Sequence, residues 1–99
     1  MTFKEIVNSD IPTLVDFHAE WCGPCHQFSP IIQEVKNELG DKLRIIKIDV
    51  DKNQKLSQSL QVMSIPTIVV YRNGKIEWRA NGVQSKQTLI NKINEIASI

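Results

Sequence analysis

Two cysteines three residues apart carry the chemistry to which this sequence is best suited. Cys22 and Cys25 are the only cysteines among the 99 residues, and they lie in the run Trp-Cys-Gly-Pro-Cys-His at positions 21–26. If they open a helix, their Cα atoms are about 5 Å apart, within the ~4.4–6.8 Å range that a disulfide tolerates. A thiolate beside a thiol that can close on it is a reversible two-electron switch. The pair therefore predicts thiol–disulfide exchange.

The place of each cysteine in that helix predicts its role. The free backbone N–H groups and the positive end of the helix would face Cys22, which favours its thiolate. We expect Cys22 to lie nearer to solvent and to be the attacking nucleophile. We expect Cys25, one turn into the helix and more buried, to resolve the mixed disulfide.

Three other uses of the same motif fit the sequence less well. A static disulfide would close a loop too short to stabilise the fold much. A zinc site would recruit His18 or His26, but Cys25 and His26 would point about 100° apart on a helix, and no second Cys/His pair follows. The spacing Cys-x-x-Cys-His also occurs in haem attachment, yet several β-type runs in the chain do not suit a helical haem pocket.

Composition limits the remaining classes of function. Twelve basic and eleven acidic side chains give a formal charge of +1, which indicates neither a nucleic acid nor an anionic membrane as partner. No apolar run approaches the ~18 residues of a membrane span, and residues 1–5 do not resemble the start of a signal peptide. One cysteine pair is not a disulfide framework. We therefore expect a single domain over residues 1–99, a monomer, and a reducing cytoplasm.

Helix signals predict four helices. Thr2 and Glu5 fit a capping box for a short helix to about Asn8. Gly23 or Pro24 opens a long helix, with a kink at Pro30 and an end at Gly40. A third helix starts at residues 51–53, and a fourth is capped by Ser85. The apolar residues that recur on the last two helices are Leu56, Leu60, Leu89, Ile90, Ile93 and Ile96.

Strand signals predict an α/β fold around a mixed sheet. The predicted strands are Thr13–His18, Leu43–Val50, Thr67–Tyr71 and Lys75–Ala80. The second is a near-continuous apolar run, typical of a parallel strand buried on both faces. The first two strands are joined by a helix and should be parallel, whereas Asn73-Gly74 predicts a type I′ hairpin between the last two. The order of elements, αβαβαββα, places helices on both faces of the sheet.

With this order, and with Cys-Gly-Pro-Cys just past the first strand, the chain resembles the thioredoxin family. The segments that carry the resemblance are Val15–Phe17, Ala19–Cys25, Pro30, Lys47–Asp51, Ile65–Thr67, Asn73–Gly74 and Gly82. The resemblance implies a dithiol carrier that reduces protein disulfides in cell redox homeostasis. It implies no cofactor beyond a redox-active Cys22–Cys25 disulfide, which a thioredoxin reductase, an NADPH-dependent flavoprotein, would regenerate.

Three positions depart from the family pattern. The family begins with an additional strand for which there is scarcely room here, so we expect about four strands rather than five. An aromatic residue is common in the family at the position of His18, and a basic residue, often Lys, at that of His26. None of these differences removes the redox machinery.

Asp16 lies within an apolar run, where a carboxylate without a partner is costly. The simpler interpretation is a solvated strand end. The resemblance instead implies a buried base below the disulfide, which takes the proton of Cys25 through water. Lys47 would then be the charge partner of Asp16, unless its ammonium group reaches the surface.

The resemblance also implies a substrate-binding surface. From sequence alone the Ile65–Pro66 bond would be trans, whereas the family's proline loop implies a cis bond that opens the Ile65 backbone to an extended substrate segment. Gly23 and Pro24 would help to set the reduction potential. The residues of the flat apolar patch around the sulfurs would be Trp21, Pro24, Ile65 and Gly82.

His18 is two residues from Asp16 on a strand, so both side chains face the same side. Either its ring fills the space of the usual aromatic side chain, or its charge tunes the redox site near neutral pH.

Two competing functions also remain at this stage: a thiol oxidase or isomerase on the same fold, and a binding module that holds a partner on the apolar patch.

Overall fold

The computed structural model describes residues 1–98, and its elements follow the predicted order. They are α1 (Phe3–Ile6), β1 (Thr13–His18), α2 (Gly23–Leu39), a 3-10 turn (Gly40–Lys42), β2 (Arg44–Asp49), α3 (Gln54–Ser59), β3 (Thr67–Arg72), β4 (Lys75–Asn81) and α4 (Lys86–Ala97). None of the helices within residues 1–98 is long and apolar enough to cross a membrane.

The strands form one mixed sheet in the order β2-β1-β3-β4. β1 pairs in parallel with β2 and antiparallel with β3, and β3 and β4 form an antiparallel hairpin. No strand precedes β1 in the part of the chain that the structure describes, so the expectation of four strands is confirmed. The parallel pairing sets Asp16 of β1 beside Lys47 of β2.

Alternate residues of β1 project into two separate cores, because side chains alternate across a strand. Leu14 packs into the core formed with α2 and α4, whereas Val15 and Phe17 pack into the opposite core. Asp16 and His18 share the face of Leu14 and so project toward α2. The larger core contains Leu14, Phe28, Ile32, Val35, Leu43, Ile68, Val70, Leu89, Ile90, Ile93 and Ile96.

The helix ends confirm most of the sequence signals. Thr2 and Glu5 form the capping box of α1, which ends at Ile6, two residues before the predicted boundary. Helix α2 begins at Gly23 and continues through Pro30 to Leu39, and the kink there stays a prediction. Gly40 follows α2 with a φ of 54°, a left-handed value that suits glycine. Helix α3 begins at Gln54, later than predicted.

The prediction that the second strand is fully buried is wrong, although both of its faces are packed: Ile45 packs against the core with α2 and α4, and Ile46 and Ile48 pack against the opposite core. β2 lies at an edge of the sheet, and none of its residues is fully buried. Its apolar run resembles that of an interior parallel strand, but at the edge of the sheet only β1 lies beside it, and each of its residues keeps part of its surface exposed. Lys47 in the middle of β2 is exposed.

The β3–β4 turn also holds the amino-terminal segment. Asn73 and Gly74 have φ values of 54° and 80°, as the predicted type I′ turn requires. Their backbone N–H groups donate to the carbonyls of Ser9, at 2.8 Å, and Val7, at 3.2 Å. The turn thereby ties the chain that precedes β1 to the end of the sheet opposite to Cys22.

Candidate active site

Cys22 and Cys25 form a disulfide at the start of α2, with their Cα atoms 5.3 Å apart. Cys22 is the N-cap of the helix, and its Sγ accepts a hydrogen bond from the backbone N–H of Cys25 at 3.2 Å. The first turn of α2 therefore directs a free N–H group at the sulfur of Cys22, as the spacing of the two cysteines predicts. Gly23 and Pro24, which separate the two cysteines, are both exposed.

The expectation that Cys25 is more buried than Cys22 is wrong. Cys22 is 3% exposed and Cys25 is 7% exposed. Both belong to a small apolar cluster with Ala19, against which Val50 and Ile65 pack. Cys25 in addition lines a cavity beneath α2, which accounts for its greater exposure. In this oxidised form the roles of the two sulfurs rest on their positions in the helix and not on burial.

The cavity beneath Cys25, here called the polar cavity, has a volume of about 180 Å³. It lies between α2 and the ends of β1 and β2. The residues that line it are Asp16, His18, Ala19, Glu20, Cys25, His26, Ser29 and Lys47. The structure thus brings together Cys25 and three residues that the sequence analysis selected for redox chemistry.

Asp16 is buried in the middle of β1 and is 4% exposed. Its Oδ1 has no hydrogen-bond partner among the described residues. Burial raises the pKa of this carboxyl, and the charges of His18 and Lys47 oppose that shift. The solvated strand end considered from the sequence is therefore excluded, and the carboxyl group is available for proton exchange inside the cavity.

Lys47 does not pair directly with Asp16. It is the sheet neighbour of Asp16, but no ion pair between them occurs among the described residues. The exposed Lys47 side chain instead places Nζ 3.0 Å from Ser29 Oγ, to which it donates. Its charge therefore acts on Asp16 across the cavity, because the ammonium group gains more from solvent and a hydroxyl than from burial.

The two histidines differ in their surroundings. His18 is partly buried at the end of β1, whereas His26 is exposed on α2. A ring nitrogen of His26, Nε2, lies 2.6 Å from the carbonyl oxygen of Glu20. Within residues 1–98, no three His, Cys, Asp or Glu side chains are grouped as metal ligands would be.

A second cavity, here called the apolar groove, lies on the other side of the disulfide. It has a volume of about 260 Å³ and is lined by Trp21, Val50, Val62, Met63, Ser64 and Ile65. Two of its side chains are largely open to solvent, Trp21 at 71% and Met63 at 92%. Trp21 is held in place by Asp51, whose Oδ2 accepts from the indole Nε1 at 2.8 Å.

The loop before β3 borders the same groove. The Ile65–Pro66 peptide bond is cis. The carbonyl of the buried Pro66 accepts from the N–H of Gly82 at 2.8 Å, which brings the Gly82 loop beside it. Gly82 has a φ of 83°, a value that other residues rarely adopt.

Comparison with known proteins agrees with this geometry. The family model described as Thioredoxin matches residues 1–95. The chain belongs to the thioredoxin family. A thioredoxin of Rickettsia typhi is 44% identical over 96 residues, covering 96% of this chain and 91% of that protein. A thioredoxin of Bacillus subtilis is 44% identical over 82 residues, covering 83% and 79% of the two chains.

Solved structures show the same family resemblance in three dimensions. The crystal structure of thioredoxin from Trypanosoma brucei brucei superposes with a TM-score of 0.88 at 28% identity, covering 98% of this chain and 84% of that one. The thioredoxin fold is therefore confirmed. As a thioredoxin-family protein with its cysteine pair joined in a redox-active disulfide, the chain is a thiol–disulfide oxidoreductase with a protein-disulfide reductase role.

Sequence reasoning missed three residues at this thioredoxin-type site. Asp51 belongs to the helix start and to a segment that carries the family resemblance, but no sequence pattern assigned it a role beside Trp21, although it follows β2 at the edge where β1 also ends. Ser29 and Met63 were not selected. Ser29 lies one helical turn beyond Cys25, a spacing that places it on the same face of α2. No sequence pattern marks Met63, because its exposure depends on the conformation of the loop before β3.

Proposed function

We propose that the protein reduces protein disulfides in two steps, with Cys22 as nucleophile, Cys25 as resolving thiol and Asp16 as base. The observation that carries this proposal is that Cys25 and Asp16, whose Oδ1 has no hydrogen-bond partner among the described residues, line one cavity. A base must reach the proton that it removes directly or through one water, and a shared cavity meets that condition. The roles of the individual residues follow from the same arrangement.

In the first step, the Cys22 thiolate attacks one sulfur of the substrate disulfide. A bond forms between Cys22 and that sulfur, the substrate S–S bond breaks, and the second substrate sulfur leaves as a thiolate. The N–H group of Cys25 that points at Cys22 Sγ stabilises the attacking anion.

In the second step, Cys25 attacks the sulfur of Cys22. The proton of Cys25 passes to Asp16, the Cys22–Cys25 bond forms, and the bond from Cys22 to the substrate breaks. The substrate has then gained two electrons, which the cysteine pair has lost. Lys47 supports this step from across the cavity, because its positive charge favours the carboxylate form of Asp16.

The apolar groove and the proline loop are the proposed binding surface. An extended segment of substrate would lie along the Ile65 backbone and over Trp21, with Pro24 and Gly82 at the borders. Gly23 and Pro24, between the cysteines, would help to set the reduction potential, and His18 would tune it through its charge. A measured potential in the reducing range would separate this function from that of a thiol oxidase or isomerase.

The partners follow from the family. We infer that a thioredoxin reductase, an NADPH-dependent flavoprotein, returns the disulfide to the dithiol form. A Mycobacterium leprae protein named bifunctional thioredoxin reductase/thioredoxin is 35% identical over 94 residues, which are 20% of its length. We further propose that the chain acts as a monomeric single domain in the cytoplasm, without a bound cofactor.

An insulin reduction assay tests the proposal. The protein is mixed with insulin, NADPH and a bacterial thioredoxin reductase, and NADPH oxidation is followed. We expect consumption that depends on both insulin and the protein, and none above background with the double variant Cys22→Ser/Cys25→Ser. If insulin is reduced with a chemical dithiol but not with the reductase, the proposed electron donor is wrong. If neither reductant supports the reaction, the two-step mechanism is wrong.

A further inference from the structure

The polar cavity contains a side chain to which the two-step reaction assigns no proton transfer. His18 lies two residues after Asp16 on β1, so both side chains project from one face of the strand. Both line the cavity together with Cys25. His18 is only partly buried, whereas Asp16 is enclosed. His18 is therefore the member of the pair nearer to solvent.

Asp16 can act as a base only in its carboxylate form, and its surroundings oppose that form. Its Oδ1 has no hydrogen-bond partner among the described residues to stabilise a negative charge. An acceptor nearby would resolve this conflict by taking the proton and leaving an opposite charge beside the carboxylate. The Cα atoms of i and i+2 in a strand are about 6.6 Å apart, and a cavity of about 180 Å³ has room for a bridging water.

We infer that His18 is the proton acceptor for Asp16 and thereby holds Asp16 in the form that can act on Cys25. The inference rests on the proposed role of Asp16 as base. In this step the O–H bond of the protonated Asp16 breaks, an N–H bond forms on the neutral His18 ring, and no electrons are transferred. The imidazolium later releases the proton to bulk water and returns to the neutral ring.

Other groups around the cavity are less suited to this role. The charged and titratable residues that face His18 from the surrounding elements are Asp16, Glu20, Cys25, His26, Lys47 and Asp49. The ammonium group of Lys47 has no acceptor atom, and it is bound to Ser29. His26 lies on the exposed face of α2 with one ring nitrogen at Glu20. Histidine is the side chain that exchanges protons near neutral pH, which leaves His18.

The pH dependence of a single turnover tests the inference. Pre-reduced protein is mixed with excess insulin between about pH 5 and 8, the range in which histidines titrate. We expect His18→Gln to shift the acid limb of the rate profile upward by about one pH unit, which is a loss of about tenfold on that limb. On an Asp16→Asn background, His18→Gln should shift the acid limb far less, because only a small direct effect of His18 on the sulfurs would remain. An equal shift on both backgrounds would overturn the inference, because His18 would then act on the sulfurs directly.

Two controls keep the result independent of folding and of the proposed function. The chain has two histidines, so ring ¹⁵N signals can be assigned with His26→Gln, and the His18 signals should move when Asp16 is replaced by Asn. Unmoved His18 signals would overturn the coupling even if His18→Gln folds poorly. If Asp16→Asn instead keeps the wild-type rate, Asp16 is not the base. That result would contradict the proposed function by itself, without any variant of His18.

Discussion

The two sides of the disulfide differ in both shape and charge. The apolar groove holds about 260 Å³, carries the exposed side chains of Trp21 and Met63, and contains no ionisable residue in its lining. The polar cavity holds about 180 Å³ and is lined mostly by ionisable or hydroxyl side chains. Cys22 and Cys25 lie between the two. This difference supports the proposal that one side recognises the substrate while the other side moves protons.

This separation has a chemical advantage. Apolar contacts bind many extended sequences with little selectivity, whereas a proton acceptor needs a shielded carboxyl group at a fixed place. If the two tasks shared one surface, each new substrate would change the surroundings of the base. Because the groove and the polar cavity lie on opposite sides of the disulfide, a substitution in one of them should affect either substrate recognition or proton transfer, but not both.

Substitution of the cysteines gives the largest expected effect, because it removes the reacting sulfurs that lie between the two sides. We expect both Cys22→Ser and Cys25→Ser to lose turnover. Only Cys25→Ser should accumulate mixed disulfides with protein substrates, since Cys22 can still attack and nothing resolves the intermediate. Non-reducing gels of mixtures with a protein disulfide measure this. Equal trapping by both variants would show that the assigned roles are wrong.

Asp16→Asn tests the polar side alone. We expect turnover to fall by about 10²-fold, the lower end of general acid–base effects, with little change in KM. The free energy of unfolding of the oxidised form should rise by about 1–3 kcal/mol near neutral pH, because a buried charge is removed while the shape is kept. Insulin reduction and chemical denaturation provide the two measurements.

The stability gain of Asp16→Asn should depend on pH with a definite sign. The pKa of Asp16 is raised in the folded protein by burial, so the folded state binds the proton more tightly than the unfolded state does. The contribution of Asp16 to the stability of the wild type therefore falls as pH rises from about 4, the ordinary value for Asp, through the raised pKa. The gain from Asn should shrink toward zero as pH falls to about 4. A gain that is constant with pH would show that Asp16 does not carry the effect.

Met63→Lys tests the groove side alone. Met63 is 92% exposed, so the change should cost the fold little while placing a charge on an apolar surface. We expect KM for protein disulfides to rise about fivefold, a typical effect for one contact residue, with kcat unchanged. Ile76→Lys is a matched control, since Ile76 is 51% exposed on β4 at the opposite end of the sheet. A fall in kcat without a change in KM would contradict the division between the two sides.

The smallest expected effect concerns the direct action of His18 on the sulfurs. If protonation of its ring favours the Cys22 thiolate, the rate of iodoacetamide alkylation should carry an extra inflection between about pH 6 and 7.5. His18→Phe should erase that inflection and leave the fold intact, because an aromatic ring still fills the space. Identical pH profiles of alkylation for the two proteins would show that the His18 ring fills space but does not affect the Cys22 thiolate.

Much of the fold was predictable because its signals are local. The capping box at Thr2, the type I′ turn at Asn73 and the cysteine spacing each act within a few residues. The full burial of β2 was mispredicted because burial depends on which strands lie beside it. The order of strands in the sheet cannot be read from the sequence of one strand. An apolar run fits an edge strand as well as an interior one.

The features of the site also divide into those that local sequence patterns predict and those that they do not. That Asp16 and His18 share one face of β1 followed from alternation along the strand, whereas the burial of Asp16 was implied by the family resemblance and is observed. The contact between Trp21 and Asp51 joins residues 30 positions apart in the chain, so no local pattern contains it. The slightly greater exposure of Cys25 depends on a cavity that exists only once α2 packs on the sheet.

The edge position of β2 also bears on aggregation. In the described part of the chain no further strand covers its outer side, and a long apolar edge of that kind can pair with another molecule. Its isoleucines, at 45, 46 and 48, are partly exposed. Lys47 interrupts them with a charge in the middle of the strand, a feature that discourages edge-to-edge association. Lys47 therefore protects this edge from pairing with another molecule, in addition to its proposed role beside Asp16.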